Sequence, residues 1–446
     1  MGLIIMDIWE QIKATYWRLP FIPEGMKERV YYVVRSLIRG EKRGTRDERV
    51  LEKYAQQILD NQLLNNQFSC DFPVTPRVSL EADDVKLIAY YLPQYYPDPH
   101  NTRWWGRGST EWTNTTKSVP QYVGQYQPRL PGELGFYDLR IQDNIRRQIE
   151  LARIYGIYGF CFYYYWFDGE RVLELPLNRF VEDESIDFPF FICWVNESWT
   201  KQWSSSSDVT LIEQKHTVKS YKKFIHSCLS LFLKKNYIRV NGRPVLNVYR
   251  LYTISEWSTV IAYWRQVVRE ALGTDIYIVG CLTKEKEYKE DYLTKGFDAV
   301  NEFSLSANSA ALSDITKKKT FICSSFQGKV YDYPEFVKSK RYFRHKAKKL
   351  HRAVVTGFDN TARKRNKGII FDGATPEFYG KWLSDVIVET KGNLELDEPF
   401  VFLFAWNEWA EGAYLEPDLK FQYGYLEETA KALKKSRKVL EVGRRE

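Results

Sequence analysis

Two glutamates three residues apart, Glu408 and Glu411, stand in the stretch FVFLFAWNEWAEGAYLEPD at residues 400–418. A carboxylate pair among aromatic rings suits acid–base work. Burial raises the pKa of one carboxyl while the other stays ionised, so one gives a proton and the other takes one. Asn407 stands beside them, Trp406, Trp409 and Tyr414 surround them, and Gly412 follows. The run before them, 400–406, is apolar and aromatic without polar interruption, as in a strand of a parallel sheet buried on both faces. A helical turn after that strand would bring both carboxylates to one side. Acidic residues also favour the first turn of a helix, so one Glu alone would carry little. Two, with an amide and three large rings between Trp406 and Tyr414, point to a site.

The elements that must hold this pair recur along the chain. Apolar runs at 87–92, 159–164, 188–194, 244–250, 276–282, 298–303, 353–358 and 400–406 read as eight strands. Helical patterns lie between most of them: 139–155, with Ile141, Ile145, Ile149 and Ala152 on one face, then 218–233, 255–272, 288–295 and 376–390, with a closing helix at 416–440. Eight strands alternating with helices predict an α/β fold of the (β/α)8 TIM-barrel class. The candidate polar and aromatic groups cluster at and just after the strand ends. Tyr91 and Gln94 follow the first, with Trp105, Glu111 and Trp112 in its long loop. Tyr164 and Trp166 follow the second; Asn196, Glu197 and Trp199 the third; Asp359 the seventh; Asn407, Glu408, Trp409 and Glu411 the eighth. A barrel gathers all these tips at one face. Rings for stacking, with amides and carboxylates for hydroxyls, suit a sugar chain.

With 446 residues the chain holds one barrel and an appendage. Residues 1–85 read as a helical N-terminal extension and linker, and 86–440 as the barrel, with an insertion at about 304–352. Helical spacing of Met26, Val30, Val33, Val34, Leu37 and Ile38, flanked by Lys27, Arg29, Arg35 and Arg39, makes 1–46 a candidate for peripheral association with an anionic membrane face. A helix packed on the barrel is the plainer alternative, and 48–64 is a second helix. No apolar run reaches the ~18 residues of a membrane span, and Asp7 and Glu10 interrupt what a signal peptide needs. A cytoplasmic location, peripheral on the inner membrane face if 1–46 binds it, is the expectation.

Six Cys without a CxxC and five His without an HxxxH leave no metal signature. There is no P-loop, no strand–GxGxxG–helix and no Asp-x-Asp. No cofactor and no nucleic-acid partner are expected. The net charge of +8 gathers at 35–49, 338–352 and 431–445, which fits an anionic membrane or polymer.

The stretches YLPQYYPDPHNTRWWGRGSTEWTN, QPRLPGELGFYDLR, YGIYGFCFYYYWFDGERVLELPL, FPFFICWVNESWT, GFDNTARK and AWNEWAEGAYLEPD resemble the WbsX-type family, also called glycoside hydrolase family 99-like. The resemblance runs in order from 87 to 418 and leaves 1–80 uncovered. It implies a (β/α)8 barrel, a setting in O-antigen or capsule polysaccharide biosynthesis, and an oligosaccharide or lipid-linked glycan as substrate. The related endo-α-mannosidases carry an N-E-W-H-E-G stretch, similar to residues 407–412 here. In them the first Glu is a base on the sugar's own 2-hydroxyl, and the second is the acid, then the base. Carried over, Glu408 is the base and Glu411 the acid/base, with a departure at Ala410, where those enzymes have His. Three functions stand: a glycosidase-like enzyme, a nucleotide-sugar glycosyltransferase of the same pathway, and a non-catalytic glycan-binding protein.

Overall fold

Eight parallel strands close on themselves in the computed structural model, which describes residues 46–62, 73–200, 210–303, 311–322 and 324–443. They are β1 (Lys86–Tyr91), β2 (Gly159–Phe167), β3 (Phe190–Trp194), β4 (Arg243–Val248), β5 (Tyr277–Leu282), β6 (Ala299–Glu302), β7 in two pieces (Leu350–His351 and Ala353–Val355) and β8 (Phe400–Phe404). Each pairs with the next. The first piece of β7 pairs with β6 and the second with β8, where Ala353 stands opposite Phe402. β8 pairs with β1, Lys86 opposite Phe400, so this sheet closes. Closure removes the edges that a flat sheet would expose.

Alternation along the strands decides what fills the barrel. Tyr90 points into the lumen, where its hydroxyl meets Asn247 Nδ2 at 3.0 Å and Asn301 Nδ2 at 2.7 Å. Cys281 Sγ lies 3.6 Å from the same hydroxyl and donates to Asn247 Oδ1 at 3.3 Å. The lumen is thus a packed core whose polar side chains are joined by hydrogen bonds, with Asn301 Oδ1 alone among the side-chain oxygens of Tyr90, Asn247 and Asn301 left without a partner. Cys161, Cys193 and Cys281 are free thiols buried within strands.

The outer helices are α1 (Gln142–Ile154), α2 (Leu175–Glu182), α3 (Val218–Phe232), α4 (Trp257–Leu272), α5 (Pro376–Gly392) and α6 (Gly424–Gly443). Three differences from the sequence pattern have local causes. Ile141 caps α1 from outside and is exposed. The helix expected at 288–295 is two tight turns, Glu285–Lys289 and Tyr292–Lys295, which bury only Glu287 and Tyr292. That apolar area is too small to hold a longer helix on the barrel. The closing helix begins at Gly424, because Asp418 ties down the preceding turn through Tyr414 Oη at 2.6 Å and the Phe421 N–H.

After β6, the part of the insertion from 311 onward supplies a strand, Lys329–Asp332, that pairs in parallel with Ile369–Asp372 beyond β7. Tyr122, Ile315, Val330 and Ile370 form a small apolar cluster beside that pair. At the opposite end, Asp84 is buried in ion pairs with Lys391 and Arg437 near the ends of α5 and α6. The chain divides into two compact units, Met1–Gln56 and Gln57–Glu446. A helix Arg46–Gln62 crosses that boundary. The helix expected around 26–38 and the membrane-binding segment 1–46 lie outside the described residues, save for the start of that helix. No helix among the described residues is long and apolar enough to cross a membrane.

Candidate active site

The chain leaves β8 into a short hairpin. Asn407 and Glu408 pair antiparallel with Ala413 and Tyr414, around a tight turn Trp409–Glu411. Gly412 makes this turn possible: its φ is +60°, and a Cβ there would stand 2.8 Å from Arg129 Nε. Trp409 stacks on Tyr414 at 3.8 Å and its indole N–H donates to Glu416 Oε2 at 2.7 Å. Glu416 also accepts from Tyr137 Oη and Gln148 Nε2. The turn is therefore pinned from behind, and Glu408 and Glu411 are set on its front.

Both glutamates meet the guanidinium of Arg363. Its Nη1 lies 2.6 Å from Glu411 Oε1, and its Nη2 3.2 Å from Glu408 Oε2. A third carboxylate, Glu111, accepts from Nε at 2.9 Å and from Nη2 at 2.7 Å. Arg363 comes from the loop after β7, which Asp359 organises. Asp359 Oδ1 accepts from Thr361 N at 3.0 Å and Oδ2 from Gln125 Nε2 at 2.7 Å, while the Asp359 N–H donates to Glu411 O at 2.7 Å. That last bond joins the arginine's loop directly to the glutamate's turn. Glu111 opens a short helix, Glu111–Thr116, whose first N–H donates to Gln94 O at 3.1 Å.

Burial dominates the electrostatics. It drives the Glu408 carboxyl well above the usual range, Glu411 and Glu111 push it further, and Arg363 opposes them. Glu411 is raised too, again by burial first, with Arg363 and Lys364 pulling it back and Glu111 adding to it. Carboxyls in a dry site with one cation to share must retain a proton. Such a pair can donate at one position and accept at the other.

The other expected site residues divide into three sets. Glu111 joins Glu408 and Glu411 at the centre, and Glu197 lies at the rim, paired with Arg250 Nε at 2.9 Å. Trp199 is half-buried there, edge-on to Tyr165 at 4.9 Å. A second set braces the loops. Asn407 exchanges bonds with the Leu92 backbone at 2.7 and 3.0 Å. Asn196 does the same with Arg250 at 2.7 and 2.9 Å. Asp359, Trp409 and Gln94 hold backbone and rings as described, and Trp112 packs 5.6 Å from Trp409 while donating to Tyr137 O. Trp105 is 39% exposed at the end of its short helix, and its neighbour Trp104 is the ring that meets Trp199.

The third set corrects the sequence reading. Tyr91, Tyr164 and Trp166 point outward, away from the mouth. Tyr91 Oη donates to Gln148 on α1 at 2.7 Å, and Tyr164 and Trp166 pack on Phe224 of α3. The strand's two-residue period turns Tyr163 and Tyr165 inward instead. Tyr163 stacks on Tyr90 at 5.5 Å. Burial raises both phenols, and among neighbouring charges Glu408 adds most to that rise. Arg363 was also missed, although its place just beyond the seventh strand was a signal. Among the described residues, no group of three or more His, Cys, Asp or Glu is arranged to hold a metal ion.

A sequence model of the family described as Glycosyltransferase WbsX matches residues 87–429. The chain belongs to the WbsX family. The WxcX protein of Xanthomonas campestris pv. campestris strain B100, described as uncharacterized, is 38% identical over 347 residues, 78% of this chain and 49% of WxcX. WxcX of a second strain of that pathovar matches to the same extent. This WbsX-family chain spans about half the length of the curated relatives it matches. Among solved structures, a GH99 endo-alpha-mannosidase from Bacteroides thetaiotaomicron is similar with a TM-score of 0.48 and 17% identity, over 81% of this chain and 100% of that one. A chain described as a glycoside hydrolase-like protein gives 0.47 and 12%, over 82% and 97%.

Proposed function

We propose that the chain is a glycosidase-like enzyme that cleaves or transfers a glycosidic linkage in a bacterial surface polysaccharide, O-antigen or capsule, or in its lipid-linked precursor. Glu408 serves as the base, and Glu411 as the acid and then the base. The observation that carries this reading is the meeting of two glutamates, both with proton affinity raised by burial, at one guanidinium beyond the C-terminal ends of the barrel strands. Glycosidic bonds break between two such carboxyl groups, one protonating the leaving oxygen while the other acts on the opposite side of the reaction. Tyr163, Tyr165 and Trp199 offer ring faces to a sugar beside that pair.

The test is mass spectrometry of the host's lipid-linked and surface glycans after incubation with wild type and with Glu411→Gln. Shorter glycans from the wild type alone are the expected result. The family's description favours a second reading, a nucleotide-sugar transferase. Glycans longer by one unit, only when a nucleotide sugar is supplied, would establish that one instead. No change with either protein would defeat both and leave a glycan-binding role.

A further inference from the structure

Arg363 does not treat the two glutamates alike. Its shorter bond, 2.6 Å, goes from Nη1 to Glu411, and the longer one, 3.2 Å, from Nη2 to Glu408. Nη2 gives its better bond to Glu111 at 2.7 Å, and Nε adds another to the same oxygen at 2.9 Å. A guanidinium held by one carboxylate through two of its three nitrogens cannot centre itself on Glu408. Glu111 is 1% exposed and Glu408 4%, so water compensates neither. Glu408 and Glu411, crowded in a dry site where Glu111 already holds the guanidinium, are not both readily ionised. The carboxyl with the weakest cation contact is the one that keeps a proton.

The surrounding groups leave that asymmetry standing. Tyr163 and Tyr165 from β2 and Tyr95 from the loop after β1 face Glu408 as phenols kept neutral by burial. Lys364 acts on Glu411, as does the Tyr249 phenol beyond β4. Among the described residues, no second cation makes an ion pair with Glu408.

We propose that Arg363 is a positioning residue that decides which glutamate carries the proton: at rest Glu408 is the acid form and Glu411 the ion-paired carboxylate. The inference rests on the roles given above, and it adds a step to them. For Glu408 to act as base and Glu411 as acid, proton and guanidinium must change places. A sugar hydroxyl entering between Nη1 and Glu411 opens the shorter bond, while Glu111 keeps the guanidinium in the site through Nε. The O–H bond at Glu408 breaks, one forms at Glu411, and the guanidinium moves onto Glu408. One proton is transferred, no charge is created, and no co-reactant is needed.

The test needs no substrate. Infrared difference spectra at neutral pH compare wild type with Glu408→Gln, both checked for folding by near-ultraviolet circular dichroism. A carboxylic-acid C=O band present in wild type and lost in Glu408→Gln is expected. Glu302 and Glu416 bands cancel, because both proteins share them. Arg363→Met should add a second such band, as Glu411 loses its cation, and Arg363→Lys should restore the single one. No band lost in Glu408→Gln, in folded protein, overturns the proposal even if the enzyme cleaves glycans. The expected bands in a protein that leaves every glycan unchanged would overturn the role reading alone. On a cleaved glycan, Arg363→Lys should lower kcat at least ~30-fold with KM within a few-fold. An unchanged kcat would refute the exchange.

Discussion

Arg352 and Arg363 are both nearly buried, both lie in or just beyond β7, and both are bound by more than one glutamate. Arg352 interrupts β7 and reaches Glu302 at 2.8 Å, Glu389 at 3.1 Å and the His345 carbonyl at 3.0 Å. Glu302 accepts in addition from the Ala353 N–H, and Glu389 is partly in water. Glu302 is answered by Arg352 and the strand backbone, and Glu389 by Arg352 and in part by solvent. Arg363 faces three carboxylates in the mouth of the barrel and answers them with one charge. Raised proton affinity does not separate the two regions. Burial pushes Glu302 up to about 7, and does the same for Glu416 behind the turn Trp409–Glu411. What separates them is the larger excess, three carboxylates on one guanidinium against two, and its place at the mouth. A compensated cluster ties elements together, and an uncompensated one stores a proton.

The widest separation should appear when each cluster is cut. Glu411→Gln and Glu408→Gln should each lower glycan turnover by about 10²–10⁴-fold, with the melting temperature nearly unchanged or higher: the first removes a like charge from a dry site, and the second exchanges a neutral carboxyl for a neutral amide of the same shape. Arg352→Met should do the reverse. It strands Glu302 and should cost about 3–5 kcal/mol in denaturant unfolding, while the protein that remains folded keeps its kcat. An Arg352→Met protein of normal stability but lost turnover would erase the distinction between the clusters.

Next in size is an effect of pH on the structural side alone. His351, beside Arg352, is fully buried against the rings of Phe400 and Phe402, and burial pushes its imidazole down to about 4. The unfolded chain takes up a proton near the ordinary value of 6.5 and the folded chain does not. Stability present above that pH is lost as pH falls from about 6.5 to about 4, by about 3 kcal/mol. Glu302 has the opposite sign, since its folded carboxyl takes up a proton more readily than the unfolded one. The difference between wild type and His351→Leu removes that shared contribution. The stability of wild type relative to His351→Leu should fall by about 3 kcal/mol between pH 6.5 and pH 4, and parallel curves would show that His351 is not the acid-sensitive group.

The barrel was legible because strand-length apolar runs alternating with amphipathic segments admit few other folds, and all eight strands lie within or close to the expected runs. Glu408, Glu411 and Glu111 stood out as ionisable groups among large rings at strand ends, and the fold brings all three to one guanidinium. What failed was parity. In β2 the nine residues GFCFYYYWF are all buried, so no polar position marks which face is inward, and nothing in the sequence tells outward Tyr164 and Trp166 from inward Tyr163 and Tyr165. Asn407 and Asn196 looked like hydroxyl binders, but each is spent on backbone that a hairpin or loop would otherwise leave unpaired. That demand comes from distant segments, Leu92 for one and Arg250 for the other, and no local pattern announces it. Arg363 carries no such mark, since a guanidinium neither gives nor takes the proton; the role proposed for it is to partition one between two carboxyls.

The parity of β2 gives the smallest of the expected effects and the most direct check on the inward and outward faces. Tyr165 stands within the electrostatic reach of Glu408, Arg363, Glu111 and Glu411, so Tyr165→Phe removes a hydroxyl that a sugar in the mouth can bond. A single such bond is worth about 0.5–1.5 kcal/mol, which corresponds to a loss of up to about tenfold in kcat/KM with stability nearly unchanged. Tyr164 is one residue away and faces α3, and its buried hydroxyl makes no close hydrogen bond. Removing it in Tyr164→Phe relieves an unsatisfied polar group and should leave kcat/KM as it was, while raising stability by up to about 1 kcal/mol. If Tyr164→Phe slowed turnover and Tyr165→Phe did not, the sugar would have to lie on the helix side of the strand, and the carboxylate cluster at the barrel mouth would lose its claim to the chemistry.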